Sequence, residues 1–437
     1  MPLPKVLIIG QPFNNDTGGG ITLSNLFSGW DKDKIAVACS PYILQDNIDT
    51  EICDTYYQLG RKEGKWRFPF NLFNRKYSSG IIKFTNEKKS SAVLKKKPFR
   101  VKMIMGFFYP MLKSIGLVDY IFKTKLSYEF CRWLDEFRPD IIYAQASSRD
   151  GVRFCSLVHS YLNKPLIFHM MDDWPSTVTA KIFGRQLKRT VDSDFRKLLD
   201  KADILMSISD QMAKEYKTRY NKDFITFHNP IDIQFWKKHQ RKNYELSSPP
   251  TILYAGRIGL GIQHSLELIA RAVQKVNEEL NITIKFILQT GQKPSWVANY
   301  SCVVHKSFVS YNELPKVFSE ADLLVLPYDF SQESIRYIKH SMPTKAPEFM
   351  VSGTPIIIFA PEETAIVTYA QKYNWAKVIS KNNIDDLANG IKFLIKDEKN
   401  RQRLGQEAVS IAENNHNSFE VKRKFKETIC LLSNNHN

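Results

Sequence analysis

The most informative chemistry in this chain of 437 residues lies around one carboxylate, Glu348, within residues 340–361. Pro343 and Thr344 are suited to open a helix there, because proline fits a first helical turn and a hydroxyl can accept from backbone N–H groups. A buried strand over residues 356–359 follows. The start of a helix presents unpaired N–H groups and a positive dipole end, which favour phosphate oxygens. The segment therefore predicts an anion site, with Glu348 about one turn inside the helix as a hydrogen-bond acceptor.

Other polar residues follow predicted strands, where open parallel sheets bind their ligands. Arg257 comes after a strand over residues 252–255, and its planar guanidinium suits two oxygens of a diphosphate. His169 ends another strand, and Asp172 and Asp173 come shortly after it. One of these aspartates is predicted to bind hydroxyl groups or to act as a base, and the sequence does not decide between these two roles.

The elements that must position these residues form two α/β series. The chain exceeds the size at which one core normally keeps growing. Short apolar strands alternate with helices in both halves, which predicts mostly parallel sheets. We therefore predict an N-terminal domain over 1–228, a linker over 229–250, a second domain over 251–409 and a C-terminal helical segment over 410–437.

Several short motifs along the chain resemble, in their order, those of a known protein family. They are Asn229-Pro230-Ile231-Asp232, Tyr254-Ala255-Gly256-Arg257, the passage 319–327 and the segment around Glu348. In order and spacing they resemble the retaining glycosyltransferases of family 4, also called group 1, across roughly residues 200–410. The resemblance implies the GT-B fold, an α/β architecture with two tandem Rossmann-like domains, a cleft between them and a C-terminal helix that crosses back onto the first domain.

The resemblance also implies that the second domain binds a nucleotide-diphosphate sugar. Arg257 matches the family's arginine that clamps the donor diphosphate, and we predict a catalytic role for it in stabilising the leaving group. Glu348 matches the second glutamate of the family's Glu-x7-Glu motif, which accepts hydrogen bonds from the ribose hydroxyls. The backbone at Pro343, Thr344 and Lys345 completes the predicted donor site.

Two positions depart from the family pattern. His340 stands where the family has its first glutamate, which contacts the donor sugar; a histidine can bind a sugar or a phosphate but supplies no fixed negative charge. The family's lysine about five residues after the arginine is absent from residues 258–263, and Lys345 is our candidate for the missing cation. These departures are compatible with an active subfamily of the family and also with a catalytically inactive relative.

The first domain is predicted to hold the acceptor. Gly19 and Gly20 match a glycine pair that touches the donor phosphate or the acceptor, and glycines let backbone N–H groups approach a ligand closely. His169 looks like the family's histidine that faces the donor sugar, and we predict that it is catalytic. Asp172 is our third predicted catalytic residue, with Asp173 as the alternative.

Together these features predict an enzyme, a hexosyl- or related glycosyltransferase. It would move a sugar from a nucleotide-diphosphate sugar to a glycan or polyprenyl-linked acceptor in bacterial surface polysaccharide synthesis, with retention of configuration. We predict no cofactor and no metal, because metal-binding Asp-x-Asp sites belong to the other common glycosyltransferase fold. A nucleotide-sugar epimerase of the same fold and a catalytically inactive scaffold subunit that binds sugar nucleotides are the alternatives.

The formal net charge of +17 is concentrated in an insert of the first domain near residues 61–125. Between Arg61 and Lys102 there are fourteen Lys or Arg against two Glu, interleaved with aromatic residues. Lysines attract anionic lipids and aromatic rings anchor at head groups, which favours a peripheral membrane surface. No recognition motif supports nucleic-acid binding, so we predict no nucleic-acid partner. A solvated insert is the other alternative.

Cysteine spacing and the N-terminus predict the cellular location. The six cysteines show no close pairing, so neither a zinc site nor a disulfide framework is indicated. The first apolar run is too short for a signal peptide. We therefore expect a cytoplasmic protein, peripheral at the inner face of the cell membrane.

Overall fold

The computed structural model of the chain describes residues 2–14, 17–44, 48–68, 71, 77–82, 106–107, 109–259 and 261–435. The chain divides into two compact units. The first comprises Met1–Ile208, Ala213–Phe227 and Lys422–Asn437, and the second comprises Ser209–Met212 and His228–Val421. Part of the basic insert, including residues 83–105, lies outside the described residues.

An eight-stranded sheet forms the centre of the first unit, in the order β10-β9-β8-β7-β1-β2-β3-β5. Neighbouring strands are parallel except for β3 and β5, and β4 pairs with β6 in a separate two-stranded sheet. Apolar side chains fill the central strands on both faces, as parallel sheets require. The strands are β1 Val6–Ile9, β2 Ile35–Cys39, β3 Tyr56–Gln58, β4 Gly64–Trp66, β5 Gly80–Ile82, β6 Phe122–Thr124, β7 Ile141–Ala144, β8 Leu166–Met170, β9 Ile204–Ser207 and β10 Ile225–Thr226.

Helices connect these strands, and local capping sets their ends. For example, the Ser148 hydroxyl accepts from the Gly151 N–H at the start of Arg149–Leu162, and Asn163 ends that helix in the left-handed conformation. The helices before residue 228 are Gly18–Phe27, Tyr109–Ile115, Val118–Ile121, Tyr128–Phe137, Arg149–Leu162, Trp174–Thr177, Gly184–Lys201 and Asp210–Tyr220.

A buried carboxylate anchors the described start of the basic insert. Glu63 accepts hydrogen bonds from the Tyr57 hydroxyl (3.2 Å), the Gly60 N–H (2.9 Å) and the hydroxyls of Ser79 and Ser127 (2.5 Å each). These donors satisfy the carboxylate without a cation. Glu63 therefore has a structural role at the start of the insert.

Six strands, all parallel, form the sheet of the second unit in the order β13-β12-β11-β14-β15-β16. The strands are β11 Thr251–Ala255, β12 Lys285–Gln289, β13 Val303–Lys306, β14 Leu323–Pro327, β15 Ile356–Phe359 and β16 Lys377–Ile379. The helices are Ile233–Lys237, Gln263–Leu280, Leu314–Glu320, Gln332–Ile338, Ala346–Val351, Ala365–Tyr373, Ile384–Lys396 and Glu398–Asn415. Helices thus cover a sheet whose central strands are apolar on both faces.

The C-terminal segment is a second helix rather than a continuation of the one before it. Helix Glu398–Asn415 ends at His416, and Ser418–Asn435 follows. Phe425 is buried, and its ring lies 5.2 Å from that of Phe27 and 5.3 Å from that of Phe227, all within the first unit. Edge-to-face contacts of this kind add to the energy of apolar burial.

Asp322, in one of the family-like motifs, holds the second unit together. Its carboxylate accepts from the backbone N–H and hydroxyl of Ser247 (3.0 and 2.5 Å), from those of Thr251 (2.8 and 3.1 Å) and from the Arg241 guanidinium (3.2 Å). Burial alone would raise the pKa of Asp322, but the hydrogen bonds from Ser247 and Thr251 and the Arg241 charge outweigh it and lower the pKa. Asp322 therefore ties β14 to the segment that precedes β11.

We expect Asp322→Asn to lower the free energy of unfolding of the second unit by about 2–4 kcal/mol, because an amide leaves Arg241 unpaired and donors unsatisfied. The stabilisation by Asp322 is present above the ordinary carboxyl pKa of about 4 and is lost as the pH falls through the lowered pKa. Denaturant titrations at several pH values, with hydrogen exchange of peptides spanning 318–330, measure this. The exposed Glu320→Gln change is the control; equal effects of both changes would contradict the prediction.

Candidate functional site

Arg257 lies at the carboxyl end of β11, directly after Gly256. Gly256 has a φ of +151°, and a Cβ there would lie 1.9 Å from the Lys345 Nζ, so only glycine fits. The Arg257 carbonyl oxygen accepts from the Tyr254 hydroxyl at 2.6 Å, while the Arg257 side chain is exposed. The strand end thus fixes the backbone and places an exposed guanidinium at the edge where α/β sheets bind ligands.

The Lys345 amine occupies the same strand end. Its Nζ donates to the Ala255 carbonyl oxygen (2.9 Å) and to the Tyr254 hydroxyl (3.3 Å), and it lies 4.4 Å from the centre of the Tyr254 ring. The ring face attracts an ammonium group. Burial lowers the pKa of Lys345 to about 8, against the opposing effect of Glu348. The structure therefore brings the candidate second cation to the strand end that carries Arg257.

Glu348 lies in the first turn of the helix Ala346–Val351. Burial raises the pKa of its carboxyl group to about 7, and the Lys345 charge acts in the opposite direction. Within the described parts of the chain, no side chain gives this carboxylate a hydrogen bond or an ion pair. A half-buried acid with a raised pKa and no hydrogen bond from a described side chain is typical of a functional position.

The loop before this helix differs from the sequence-based expectation. The helix begins at Ala346, with Pro347 as its first-turn proline, rather than at Pro343 or Thr344. Pro343 instead forms a turn, its carbonyl oxygen accepting from the Ala346 N–H at 3.0 Å. The Thr344 carbonyl oxygen accepts from the Asn229 side-chain amide at 3.2 Å. These contacts hold the loop that precedes Lys345 in one conformation.

His340 lies in the same loop region, after the helix Gln332–Ile338, and its side chain is buried. Sequence reasoning missed two supporting residues, Tyr254 and Asn229. Both belong to motifs that it singled out, but their contacts with Lys345 and with the loop depend on tertiary structure.

The two candidate glycines of the first unit differ in role. They open the helix Gly18–Phe27, where the Thr17 hydroxyl accepts from the Gly20 N–H at 3.1 Å. A Cβ on Gly20 would lie 2.3 Å from the Asn14 side-chain oxygen, so packing alone requires glycine there. Gly19 is half-buried, so its backbone is the more accessible to a ligand.

His169 lies within β8 and is 1% exposed. Its Nδ1 is 2.5 Å from the Tyr143 hydroxyl, to which the Gln145 amide also donates at 3.2 Å. Burial lowers the pKa of His169 to about 3, so the ring is neutral at physiological pH. Gln145 follows β7, so the hydrogen-bonded row runs from the buried histidine to the carboxyl edge of the sheet.

The structure separates the two adjacent aspartates. Asp173 is buried, and its carboxylate pairs with both terminal nitrogens of Arg219 at 2.9 and 3.0 Å. The Tyr216 hydroxyl (2.8 Å) and the Ser176 hydroxyl (2.5 Å) also donate to it. Asp172 is exposed. Asp173 therefore serves the fold, and Asp172 is the candidate for contact with a ligand.

The candidate residues thus form one group in each unit. In the second unit the structure brings Arg257, Lys345 and Glu348 to one region around the end of β11. In the first unit, Gly19 and Asp172 follow strands of one sheet. In the part of the chain that the structure describes, no three His, Cys, Asp or Glu side chains group as a metal site.

Two parallel-sheet α/β units are the architecture of GT-B glycosyltransferases, and solved structures of that class match the chain. Sucrose-phosphate synthase from Thermosynechococcus elongatus matches with a TM-score of 0.60 at 11% identity, covering 98% of each chain. HepE from Anabaena, in complex with UDP and glucose, matches with 0.59 at 12% identity, covering 98% of this chain and 99% of the other. TarM, a Staphylococcus aureus protein, matches with 0.61 at 11% identity and the same coverage. At these identities the likeness concerns the fold, and the expected GT-B fold is confirmed.

Residues 236–410 match the family model described as "Glycosyl transferases group 1". No curated protein matches the chain by sequence.

We expect Asp173→Asn to lower the free energy of unfolding of the first unit by about 3–5 kcal/mol, because it leaves the Arg219 charge without its buried partner. The matched change Asp172→Asn, at an exposed position, should lower it by less than Asp173→Asn does. Denaturant unfolding, with hydrogen exchange of peptides spanning 166–178, measures both. A larger loss for Asp172→Asn would refute this assignment.

Proposed function

We propose that this protein moves a sugar, a hexose or a related one, from a nucleotide-diphosphate sugar to a glycan or lipid-linked acceptor, with retention of configuration. The observation that carries the proposal is the pair of cations, Arg257 and Lys345, at the carboxyl end of β11. Two cations at one strand end match the charge of a diphosphate. Glu348, with a raised pKa and no partner among the described side chains, suits the ribose hydroxyls.

Ligands of structurally similar proteins support this class of donor. HepE was crystallised with UDP-glucose, with UDP and with UDP and glucose. A TarM variant was crystallised with UDP and alpha-GlcNAc-glycerol. The match of residues 236–410 to the group 1 family model is consistent with a donor of the same kind.

In the proposed reaction, the bond between the sugar and the diphosphate breaks while negative charge grows on the leaving phosphate. Arg257 and Lys345 would stabilise that charge, and preorganised electrostatic stabilisation of this type is often the largest contribution to catalysis. Because the pKa of Lys345 is about 8, the amine is mostly protonated at pH 7. His340 is proposed to bind the donor sugar or a phosphate, as its position in the motif implies.

The N-terminal unit is proposed to bind the acceptor. Asp172 is exposed and would bind the acceptor hydroxyl or accept its proton. His169 is buried and neutral, so it would act on a ligand through Tyr143 and Gln145. The Gly19 backbone would approach the donor phosphate or the acceptor.

The proposed setting is the inner face of the bacterial cell membrane, where polyprenyl-linked acceptors of surface polysaccharide synthesis are carried. The basic, aromatic insert supports it, since fourteen Lys or Arg between residues 61 and 102 favour an anionic surface.

Turnover assays with uridine, guanosine and adenosine diphosphate sugars test the proposal. Release of the nucleoside diphosphate, slow with water and faster with an acceptor, is the expected result, and Arg257→Ala should abolish it. Formation of an isomeric sugar nucleotide without an acceptor would identify an epimerase instead. Binding without any turnover would identify a scaffold subunit.

We expect Lys345→Met to weaken binding of the active sugar nucleotide about 10- to 100-fold, because a charge-assisted hydrogen bond to the diphosphate is lost. Lys372→Met is a matched control, since Lys372 also lies over a tyrosine ring of the second unit, 4.7 Å from the centre of Tyr373. Isothermal titration measures the affinities. If Lys345→Met binds like the native protein while Arg257→Ala does not bind, Lys345 is not the second cation.

Donor affinity should be highest between about pH 7 and about pH 8, where Glu348 is ionised and Lys345 is still protonated. Below this window Glu348 gains a proton, and above it Lys345 loses one, so the affinity should fall on both sides. Donor affinity measured across this pH range should no longer fall on the acid side in Glu348→Gln, and it should no longer fall on the alkaline side in Lys345→Met. Persistence of both limbs in both variants would assign the pH dependence to other groups.

A further inference from the structure

A group of exposed apolar side chains lies on the described part of the first unit, partly within the basic insert. We call its side chains the apolar patch; they are Phe68, Phe107, Met111, Ile182 and Phe183. Phe68 is 81% exposed, Phe107 70% and Ile182 66%. Single exposed apolar residues are ordinary on soluble proteins, whereas a group of them marks an interaction surface.

Backbone contacts join the segments that carry the patch. The N–H groups of Lys181 and Phe183 donate to the carbonyl oxygens of Ser114 (2.6 Å) and Ile115 (3.1 Å). The segment that contains them therefore lies along the helix Tyr109–Ile115. Backbone bonds of this kind fix the relative positions of the two segments.

Two further contacts complete the support of the patch. The Trp66 ring stacks on that of Tyr109 with a centroid distance of 6.2 Å, which brings the strand before Phe68 to the same helix. Gly116 has a φ of +90°, and a Cβ there would lie 2.9 Å from the Ala180 Cβ. Because only glycine allows this approach, the segment that carries Ile182 and Phe183 lies on this helix in a defined position.

Cations surround the patch. Residues 64–68, 109–125 and 178–191 contain nine Lys or Arg and one acidic residue, Asp119. All nine cations are exposed, and none forms an ion pair with a described acidic side chain. They are Lys65, Arg67, Lys113, Lys123, Lys125, Lys181, Arg185, Lys188 and Arg189.

We infer that the apolar patch and these cations dock the first unit on a bilayer that contains anionic lipid. Aromatic and aliphatic side chains enter the head-group boundary, while cations bind anionic head groups. Among the described residues no helix is long and apolar enough to cross a membrane. The inference rests on the proposed function, since such a bilayer would carry the lipid-linked acceptor.

Charge also argues against a second copy of this chain as the occupant. An isologous dimer through the same surface would place the cations of one copy against those of the other. Like charges brought together in this way disfavour association, whereas an anionic bilayer is complementary to all of them.

Vesicle co-sedimentation of the full chain tests the inference, with phosphatidylcholine alone and with added phosphatidylglycerol. We expect binding only with phosphatidylglycerol, weaker at high salt. The double change Phe107→Ser/Ile182→Ser and the triple change Arg185→Gln/Lys188→Gln/Arg189→Gln should each reduce partitioning about tenfold or more. Phe419→Ser, at an exposed apolar position on the C-terminal helix, is the control and should bind as the native chain does.

Several results would overturn the inference. Native-like binding by both patch variants, or equal binding to vesicles without phosphatidylglycerol, contradicts it. Light scattering that shows a dimer lost in Phe107→Ser/Ile182→Ser would assign the surface to a second copy instead. Thermal unfolding confirms that each variant is folded. Hydrolysis of the nucleotide sugar in solution separates the two proposals: it should be unchanged in the patch variants, and its absence in the native chain contradicts only the proposed transferase.

Discussion

Burial of both sheets on both faces is the constraint on which the rest of this structure depends. The central strands β1, β2 and β7 of the first unit and β14 and β15 of the second are buried throughout. A parallel sheet covered in this way leaves little room for solvated polar chemistry except at its strand ends. The exposed guanidinium of Arg257 and the accessible backbone of Gly19 both occur just beyond strands. Ligand binding at these edges is therefore a consequence of how the sheets are covered.

The same constraint explains why some polar candidates are far from solvent. His169 belongs to β8 itself, so its ring lies inside the sheet layer, where burial keeps it neutral. Its connection to the edge runs through Tyr143 to Gln145, which lies directly beyond β7. A histidine in such a position can orient other groups through hydrogen bonds, which is a different role from direct contact with a ligand. Gly20 shows the same distinction, because packing against Asn14 accounts for it without any ligand.

Much of the fold could be predicted because its signals are local. Runs such as residues 141–144 and 356–359 are apolar at every position except one tyrosine, and all of them became buried parallel strands. Contacts between distant parts of the chain could not be predicted. Asp172 and Asp173 look equivalent in sequence, and Arg219, which distinguishes them, lies 46 residues from Asp173. The start of the Glu348 helix was misplaced because two prolines, Pro343 and Pro347, both suit a first turn, and tertiary contacts of the loop favour the later one. Residues 83–105, which belong to the basic insert, lie outside the described chain.

Hydrogen bonding distinguishes the structural carboxylates of this protein from the candidate functional one. Glu63, Asp173 and Asp322 each accept several hydrogen bonds, so removing any of them would leave buried donors unsatisfied. Glu348 is different, because burial raises the pKa of its carboxyl group to about 7 against the opposing charge of Lys345, and no described side chain gives it a hydrogen bond. Burial lowers the pKa of the nearby Lys345 to about 8. Burial therefore disfavours the charged form of both side chains. Natural proteins accept such local destabilisation mainly at functional sites. A ligand that brings both a diphosphate and hydroxyl groups would satisfy the two residues together, which neither a purely anionic nor a purely neutral ligand can do.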